Sequence, residues 1–125
     1  MTIENWDEYK SNLWDWGILD GCFMNTKIKP TDIDGFVERN GRFLVIETKS
    51  PNTVVKLGQE ITFRRLVETG IFTVMIVWGN AGIPQKIRLM TNRATEIYPN
   101  SSLENMRKIV NKWFIEANKS SIEKR

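Results

Sequence analysis

The chain has 125 residues and a mass of 14.6 kDa, with 41% hydrophobic and 26% charged residues, and this composition predicts one ordinary globular domain over residues 1–125 rather than a disordered or fibrous chain. The net charge of +3 and the isoelectric point near 9.1 favour a polyanionic partner. The sequence has no histidine, which excludes Ser-His-Asp and Cys-His catalysis and histidine-ligated metal sites, so any catalysis must use carboxylates, lysine, arginine, hydroxyl groups or a thiol.

The first predicted element is an amphipathic helix near the N-terminus. Its apolar residues recur at helical spacing, and they are Trp6, Tyr9, Leu13 and Trp16. Thr2 is the expected N-cap and Gly17 the expected stop. We interpret the tryptophans as core anchors and the single cysteine, Cys22, as a small buried apolar residue. Because one thiol cannot form an intrachain disulfide, the cysteine count also favours a reducing cytoplasm.

A β-hairpin is predicted around Asn40-Gly41, because these residues accept the positive φ angles of a type I′ turn and lie between two runs rich in β-forming residues. Pairing Arg39 with Arg42 fixes the register of the two strands. This register sets Phe36 opposite Val45, Asp34 opposite Glu47 and Asp32 opposite Lys49. The four charged residues then project from one side of the hairpin. Since both sides are apolar near the turn, we expect the hairpin to lie inside the protein.

A helix is predicted over residues 57–67, with a Glu60–Arg64 pair on its surface and Gly70 after its end. The apolar run Ile71–Trp78 is typical of a strand buried on both faces. It is far shorter than the roughly 20 residues that a membrane-spanning helix needs, so we expect no membrane association. The order strand, helix, strand favours parallel strands joined by a right-handed crossover.

The C-terminal part of the chain is predicted to contain a turn, a short strand and a helix. The turn is Gly79–Gly82, and the strand lies near Lys86 to Met90. Ser101 is the expected N-cap of the helix, because Ser101 and Glu104 have the spacing of a capping box. Its apolar stripe consists of Leu103, Met106, Val110, Trp113, Phe114 and Ala117.

The hairpin register places like charges opposite each other. Paired side chains on antiparallel strands have Cβ atoms about 4.5–5.5 Å apart, so Asp34 and Glu47 should repel. Protonation of one carboxyl, neutralisation by Lys49 or a cation between the acids would each relieve this repulsion. Lys49 carries a single positive charge, which favours a divalent ion such as Mg²⁺. The main-chain carbonyl of Thr48 is a candidate further ligand.

These residues resemble a known catalytic pattern. Ile33-Asp34-Gly35, followed by the hairpin and Glu47-Thr48-Lys49, resembles the Asp and Glu-x-Lys halves of the PD-(D/E)xK nuclease superfamily, which includes restriction endonucleases, Holliday-junction resolvases and virus-type replication-repair nuclease domains. Pro30 lies just upstream of the acidic residues, as in that pattern. Gln59 resembles the glutamine that related nucleases place near the start of the following helix to contact the substrate or the metal's water ligand.

The resemblance implies an α/β fold with a restriction-endonuclease-like αβββαβ core, in which helices flank a mixed central sheet, and an additional C-terminal helix. It implies a DNA endonuclease that uses Mg²⁺ or Mn²⁺ and leaves a 5′-phosphate. Asp34, Glu47 and the Thr48 carbonyl would be the metal ligands. Asp34, Glu47, Lys49 and Gln59 would be the catalytic residues, with Lys49 acting either as a base or as a charge that stabilises the transition state.

We expect a cytoplasmic protein of a bacterium or a phage-infected cell. The small size of the domain favours recognition of DNA shape, ends or junctions over the reading of a long base sequence. Dimerisation, as in resolvases, would place two sites on two DNA strands.

Other interpretations stay open at this point. A noncatalytic nucleic-acid-binding or partner-binding domain of the same fold would bind without cleaving, and in a purely structural domain the charges would form ion pairs at a sheet end. Asp32 is either a second metal ligand or a partner of Lys49. The superfamily often adds a glutamate from the first helix, for which the candidates are Glu4, Glu8, Asp15 and Asp20. Asp20 precedes a glycine and equally suits a turn.

Overall fold

The computed structural model describes residues 13–119. The chain divides into two compact units after Thr31, and each is described on its own. Most of the predicted N-terminal helix lies outside the described residues, together with the candidate ligands Glu4 and Glu8. The organisation as one domain stays a prediction.

The first unit contains a short 3-10 helix, Trp16–Leu19. The Asp15 carboxylate accepts a hydrogen bond from the Gly17 N–H at 2.8 Å and thereby caps this helix. The prediction that Gly17 ends a helix is therefore wrong, because this glycine lies inside the 3-10 helix. Trp16 is 39% exposed and is not the predicted core anchor. Cys22 is exposed rather than buried, because it lies in a run of consecutive turns, which follow the surface of a protein.

The second unit is an α/β structure built on one five-stranded mixed sheet. Its strands are β1 (Gly35–Arg39), β2 (Arg42–Lys49), β3 (Phe72–Asn80), β4 (Ile83–Met90) and β5 (Thr95–Tyr98), and its helices are α1 (Leu57–Glu68) and α2 (Leu103–Lys119). The strands lie in the sheet in chain order. The β2 and β3 strands are parallel, as predicted, and the other neighbours are antiparallel. Within residues 13–119, two strands come before α1, where the αβββαβ order has three.

The two helices cover opposite faces of the sheet. On one face, Val45 of β2 and its neighbours pack against Phe63 of α1. On the other face, Leu44 of β2 and its neighbours pack against Val110 and Trp113 of α2. Because successive side chains of a strand point to opposite faces, β2 contributes to both layers of the core. No helix within residues 13–119 is both long enough and apolar enough to cross a membrane.

The predicted hairpin forms with the predicted turn. Its register agrees with the prediction over Gly35–Arg39, whereas the predicted pairs Asp34–Glu47 and Asp32–Lys49 lie beyond the end of the ladder. Asn40 and Gly41 have φ angles of +52° and +76°, as a type I′ turn requires, and Phe36 pairs with Val45. The hairpin is not buried as a whole, however. β2 lies inside the sheet, but β1 lies at its edge, and Phe36 is 53% exposed. An edge strand has a neighbour on one side only, so apolar residues on both of its faces do not ensure burial.

The β3–β4 hairpin has an irregular register. Trp78 pairs with Lys86, whereas Gly79 pairs with Pro84, so one extra residue is accommodated between the two pairs. A Cβ atom at Gly79 would lie 2.3 Å from the Ile83 carbonyl oxygen, closer than any side chain tolerates. The glycine therefore permits the close approach of the two strands at this bulge.

The C-terminal helix α2 begins one residue later than predicted. The hydroxyl of Ser102, not that of Ser101, accepts a hydrogen bond from the Asn105 N–H at 3.1 Å. Ser101 instead donates to the Tyr98 carbonyl at 3.0 Å, which ties the start of α2 to the end of β5. The predicted apolar stripe packs on the sheet in part, since Phe114 stays 41% exposed.

Candidate active site

The predicted site residues meet at one end of the sheet, on the face that α1 covers. The register arranges side chains of this face in two rows, Glu47–Ile76–Arg88 and Lys49–Trp78–Lys86, each with one residue from β2, β3 and β4. Paired residues of neighbouring strands project to the same side of a sheet. Both rows lie toward the carboxyl ends of the parallel strands β2 and β3, the end at which α/β sheets form their ligand sites.

Asp34 forms hydrogen bonds where the β1–β2 ladder ends. The last paired residues are Gly35 and Ile46. Beyond them, Asp34 Oδ2 accepts hydrogen bonds from Thr48 N at 2.8 Å and from Thr48 Oγ1 at 3.0 Å. Thr48 thus positions the Asp34 carboxylate, while the role of its carbonyl as a metal ligand stays a prediction. Asp34 is exposed, so this carboxylate is accessible from solvent.

Gln59 connects Glu47 to Lys49. Its Nε2 donates to Glu47 Oε2 at 3.1 Å, and its Oε1 accepts from Lys49 Nζ at 2.6 Å. The side chain reaches both because Gln59 lies in the first turn of α1, which follows the loop after β2. No ion pair joins Lys49 to Asp34 or to Glu47. The side-chain amide of Gln59, rather than a direct ion pair, therefore connects Lys49 to Glu47.

The two carboxyl groups differ in their affinity for protons. Burial raises the pKa of Glu47, whose exposed fraction is 6%, and a hydrogen bond to Asp34 and the charge of Asp34 raise it further, to about 7, against the opposing charge of Lys49. Burial also acts to raise the pKa of Asp34, but hydrogen bonds from Glu47 and Thr48 outweigh it and lower this pKa below its ordinary value. Asp34 is therefore the ionised member of the pair when Glu47 still holds its proton.

The donor atoms at this site suit a hard divalent cation. The Asp34 and Glu47 carboxyl groups lie close enough to interact, and the raised pKa of Glu47, about 7, reflects its burial first and then the hydrogen bond and charge of Asp34. Mg²⁺ binds proteins through one or two carboxylates and completes its octahedron with waters and phosphate oxygens. Residues 13–119 contain no cluster of three or more cysteine or acidic side chains arranged to hold a metal. The Asp34 and Glu47 carboxyl groups match the one or two carboxylates through which such an ion binds.

The further acidic candidates have separate roles. The charge of Asp32 makes a small contribution to the raised pKa of Glu47, which is consistent with a position near the pair. Asp15 caps the 3-10 helix of the first unit. The Asp20 N–H donates to the Gly17 carbonyl at the end of that helix, so Asp20 occupies the predicted turn position.

Residues on β4 that the sequence pattern does not indicate complete the two rows. Arg88 Nη1 contacts both carboxylate oxygens of Glu60, at 3.1 and 2.8 Å. Lys86 Nζ lies 4.2 Å from the centre of the Trp78 ring. Trp78 is 4% exposed, and its Nε1 donates to the Thr53 carbonyl at 2.6 Å, which anchors the loop between β2 and α1. Pairing β3 with β4 outward from the predicted Gly79–Gly82 turn would place Lys86 and Arg88 on this face only if the bulge were known in advance.

Comparison of the chain with known proteins returns no match among family models, curated proteins or solved structures.

Proposed function

We propose that the chain is a metal-dependent DNA endonuclease of the PD-(D/E)xK type. The observation that carries the proposal is the convergence of Asp34, Glu47, Lys49 and Gln59 at the carboxyl end of the parallel strand pair. The order hairpin, helix, parallel strand supports the restriction-endonuclease-like core that the resemblance implies. A charge cluster that serves only the fold would be expected to neutralise itself directly, and Lys49 forms no ion pair with either acid.

In this proposal, Asp34 and Glu47 hold Mg²⁺ or Mn²⁺. A divalent ion bound there supplies Lewis-acid activation of a phosphodiester and of water. Thr48 fixes the orientation of the Asp34 carboxylate through its N–H and hydroxyl groups. Glu47 must release its proton to act as a ligand, and its pKa of about 7 places that release near neutral pH.

Lys49 and Gln59 are the residues that would act on the substrate. The Gln59 carbonyl oxygen holds Lys49 Nζ at 2.6 Å, while its amide group remains on Glu47. This arrangement keeps the ammonium next to the carboxylates without pairing it to them. Lys49 can therefore stabilise the charge that develops on a phosphate during hydrolysis, or orient the attacking water. In-line attack by water opposite the 3′ oxygen would break the P–O3′ bond. The departing oxygen would take up a proton to give a 3′-hydroxyl, and a 5′-phosphate would remain.

The substrate is the finer part of the proposal. Branched or junction DNA fits a domain with little surface for reading bases, and cleavage of both strands of a junction would require a homodimer. The test is incubation of the purified protein with supercoiled, linear, single-stranded and four-way-junction DNA, in Mg²⁺, Mn²⁺ or EDTA. We expect cleavage that EDTA abolishes. Association with DNA and no product in either metal would show a noncatalytic binding domain instead.

A further inference from the structure

We infer that Lys86 is a second phosphate contact, and that the DNA strand runs across the end of the sheet from the carboxylate pair toward β4. The inference rests on the proposed function, since it concerns how the substrate of that site is held. Lys86 and Lys49 lie at the two ends of one row, with Trp78 between them. Strands are about 4.8 Å apart, so the backbones at the two lysines are about 10 Å apart.

Lys86 differs from its neighbour Arg88 in how its charge is used. Arg88 forms an ion pair with the carboxylate of Glu60, both oxygens of which contact its Nη1, and the same carboxylate also pairs with Arg64. Lys86 is exposed and forms no ion pair within residues 13–119. Its ammonium lies 4.2 Å from the centre of the Trp78 ring, which the Arg88 guanidinium also approaches at 5.5 Å. This contact positions the ammonium without cancelling its charge. The row therefore presents two ammonium groups. That of Lys49 lies beside the two carboxylates, and that of Lys86 has no acidic partner within residues 13–119.

The spacing of the two lysines suits a nucleic-acid backbone. Their strands are about 10 Å apart, so their flexible side chains can reach two nearby phosphates of one DNA strand, each of which carries a negative charge. Trp78 is 4% exposed and is not available to stack on a base. The contact is therefore electrostatic, and it positions the strand without selecting its sequence.

The experiment measures binding of a fluorescent DNA duplex by anisotropy in the absence of divalent ions, as a function of salt. All proteins carry Glu47→Gln to prevent cleavage, and Lys86→Met, Lys86→Arg or Lys108→Met is added. Methionine keeps an apolar stem over Trp78 but removes the charge. Lys108 is the matched control, because it is an exposed lysine on α2, which covers the other face of the sheet.

We expect Lys86→Met to weaken binding about five-fold at about 150 mM salt and about thirteen-fold at about 50 mM, since one lost phosphate contact lowers the slope of log K against log salt by about 0.9. Lys86→Arg should restore both values, and Lys108→Met should leave them unchanged. In the parent background, Lys86→Met should raise KM and leave kcat unaltered.

Equal affinity and equal salt slope for Lys86→Met and its background would overturn the inference, while metal-dependent cleavage by the parent would leave the proposed function standing. Absence of DNA binding by every variant would also overturn the inference, and the cleavage assay would then decide the proposed function separately. Binding that Lys86→Met weakens, in a parent that does not cleave, would support the contact and refute the nuclease.

Discussion

Replacement of Glu47 by Gln should remove a penalty on folding that grows with pH. The pKa of Glu47 is about 7, against an ordinary value of 4.5. Between these two values the unfolded chain has released the proton and the folded chain has kept it, so the free energy of unfolding falls as pH rises. Each pH unit between these values lowers the free energy of unfolding by about 1.4 kcal/mol. The total decrease is up to about 3 kcal/mol, and it is complete above about pH 7. Glutamine keeps the shape and cannot ionise.

The assay is urea denaturation of the parent and Glu47→Gln from pH 4 to pH 9 in EDTA. We expect similar stabilities near pH 4.5 and a variant that is more stable by up to about 3 kcal/mol at pH 8. Glu104→Gln is the control, because Glu104 is an exposed residue paired with Lys108 on α2, and its curve should follow the parent. The lowered pKa of Asp34 acts in a different pH window. Its contribution to the free energy of unfolding is present above pH 3.8, the ordinary pKa of an aspartate, and is lost at more acidic pH. Parallel curves for the parent and Glu47→Gln would refute the reasoning.

Three further predictions concern the metal, the lysine and the backbone. Mg²⁺ at about one hundred times its dissociation constant should stabilise the parent at pH 8 by about 2.7 kcal/mol, and Asp34→Asn should abolish this gain in a melting experiment; an unchanged gain would contradict the ligand assignment. Lys49→Met should lower kcat for DNA cleavage by about 100-fold or more with an unaltered circular dichroism spectrum, and a rate close to that of the parent would remove Lys49 from the mechanism. Gly79→Ala should destabilise the protein strongly, because its Cβ would lie 2.3 Å from the Ile83 carbonyl oxygen. Gly58→Ala, with open space around the new methyl group, should instead stabilise α1 by about 0.5–1 kcal/mol. Equal melting temperatures for the two variants would show that the bulge is not as described.

The sequence predicted the hairpin and the first part of the site because local chemistry determines them. Asn40-Gly41 accepts positive φ angles at two successive positions, and this fixes the turn and the register that follows from it. The register in turn places Glu47 and Lys49 on one face. Gln59 was predicted from a resemblance, and the structure places it where its amide connects these two residues.

The rest of the site depends on features that a sequence pattern does not show. A bulge shifts the β3–β4 register between Trp78 and Gly79, so counting outward from the turn would pair Trp78 with the wrong residue and put Lys86 on the wrong face. The exposure of Phe36 depends on which strand forms the edge of the sheet, and that is a property of the whole topology. Cys22 illustrates the same limit, since an apolar residue type says nothing about the turn that holds it.

The most direct test of the central claim is the rate of cleavage of the preferred DNA substrate by the parent, Glu47→Gln and Glu104→Gln, each with Mg²⁺ and with EDTA. We expect the parent and Glu104→Gln to cleave in Mg²⁺ at equal rates and to leave 5′-phosphate ends, and Glu47→Gln to yield no product above the EDTA background. Equal Mg²⁺-dependent rates for Glu47→Gln and the parent would contradict the account, because the buried carboxylate would then have no part in the reaction.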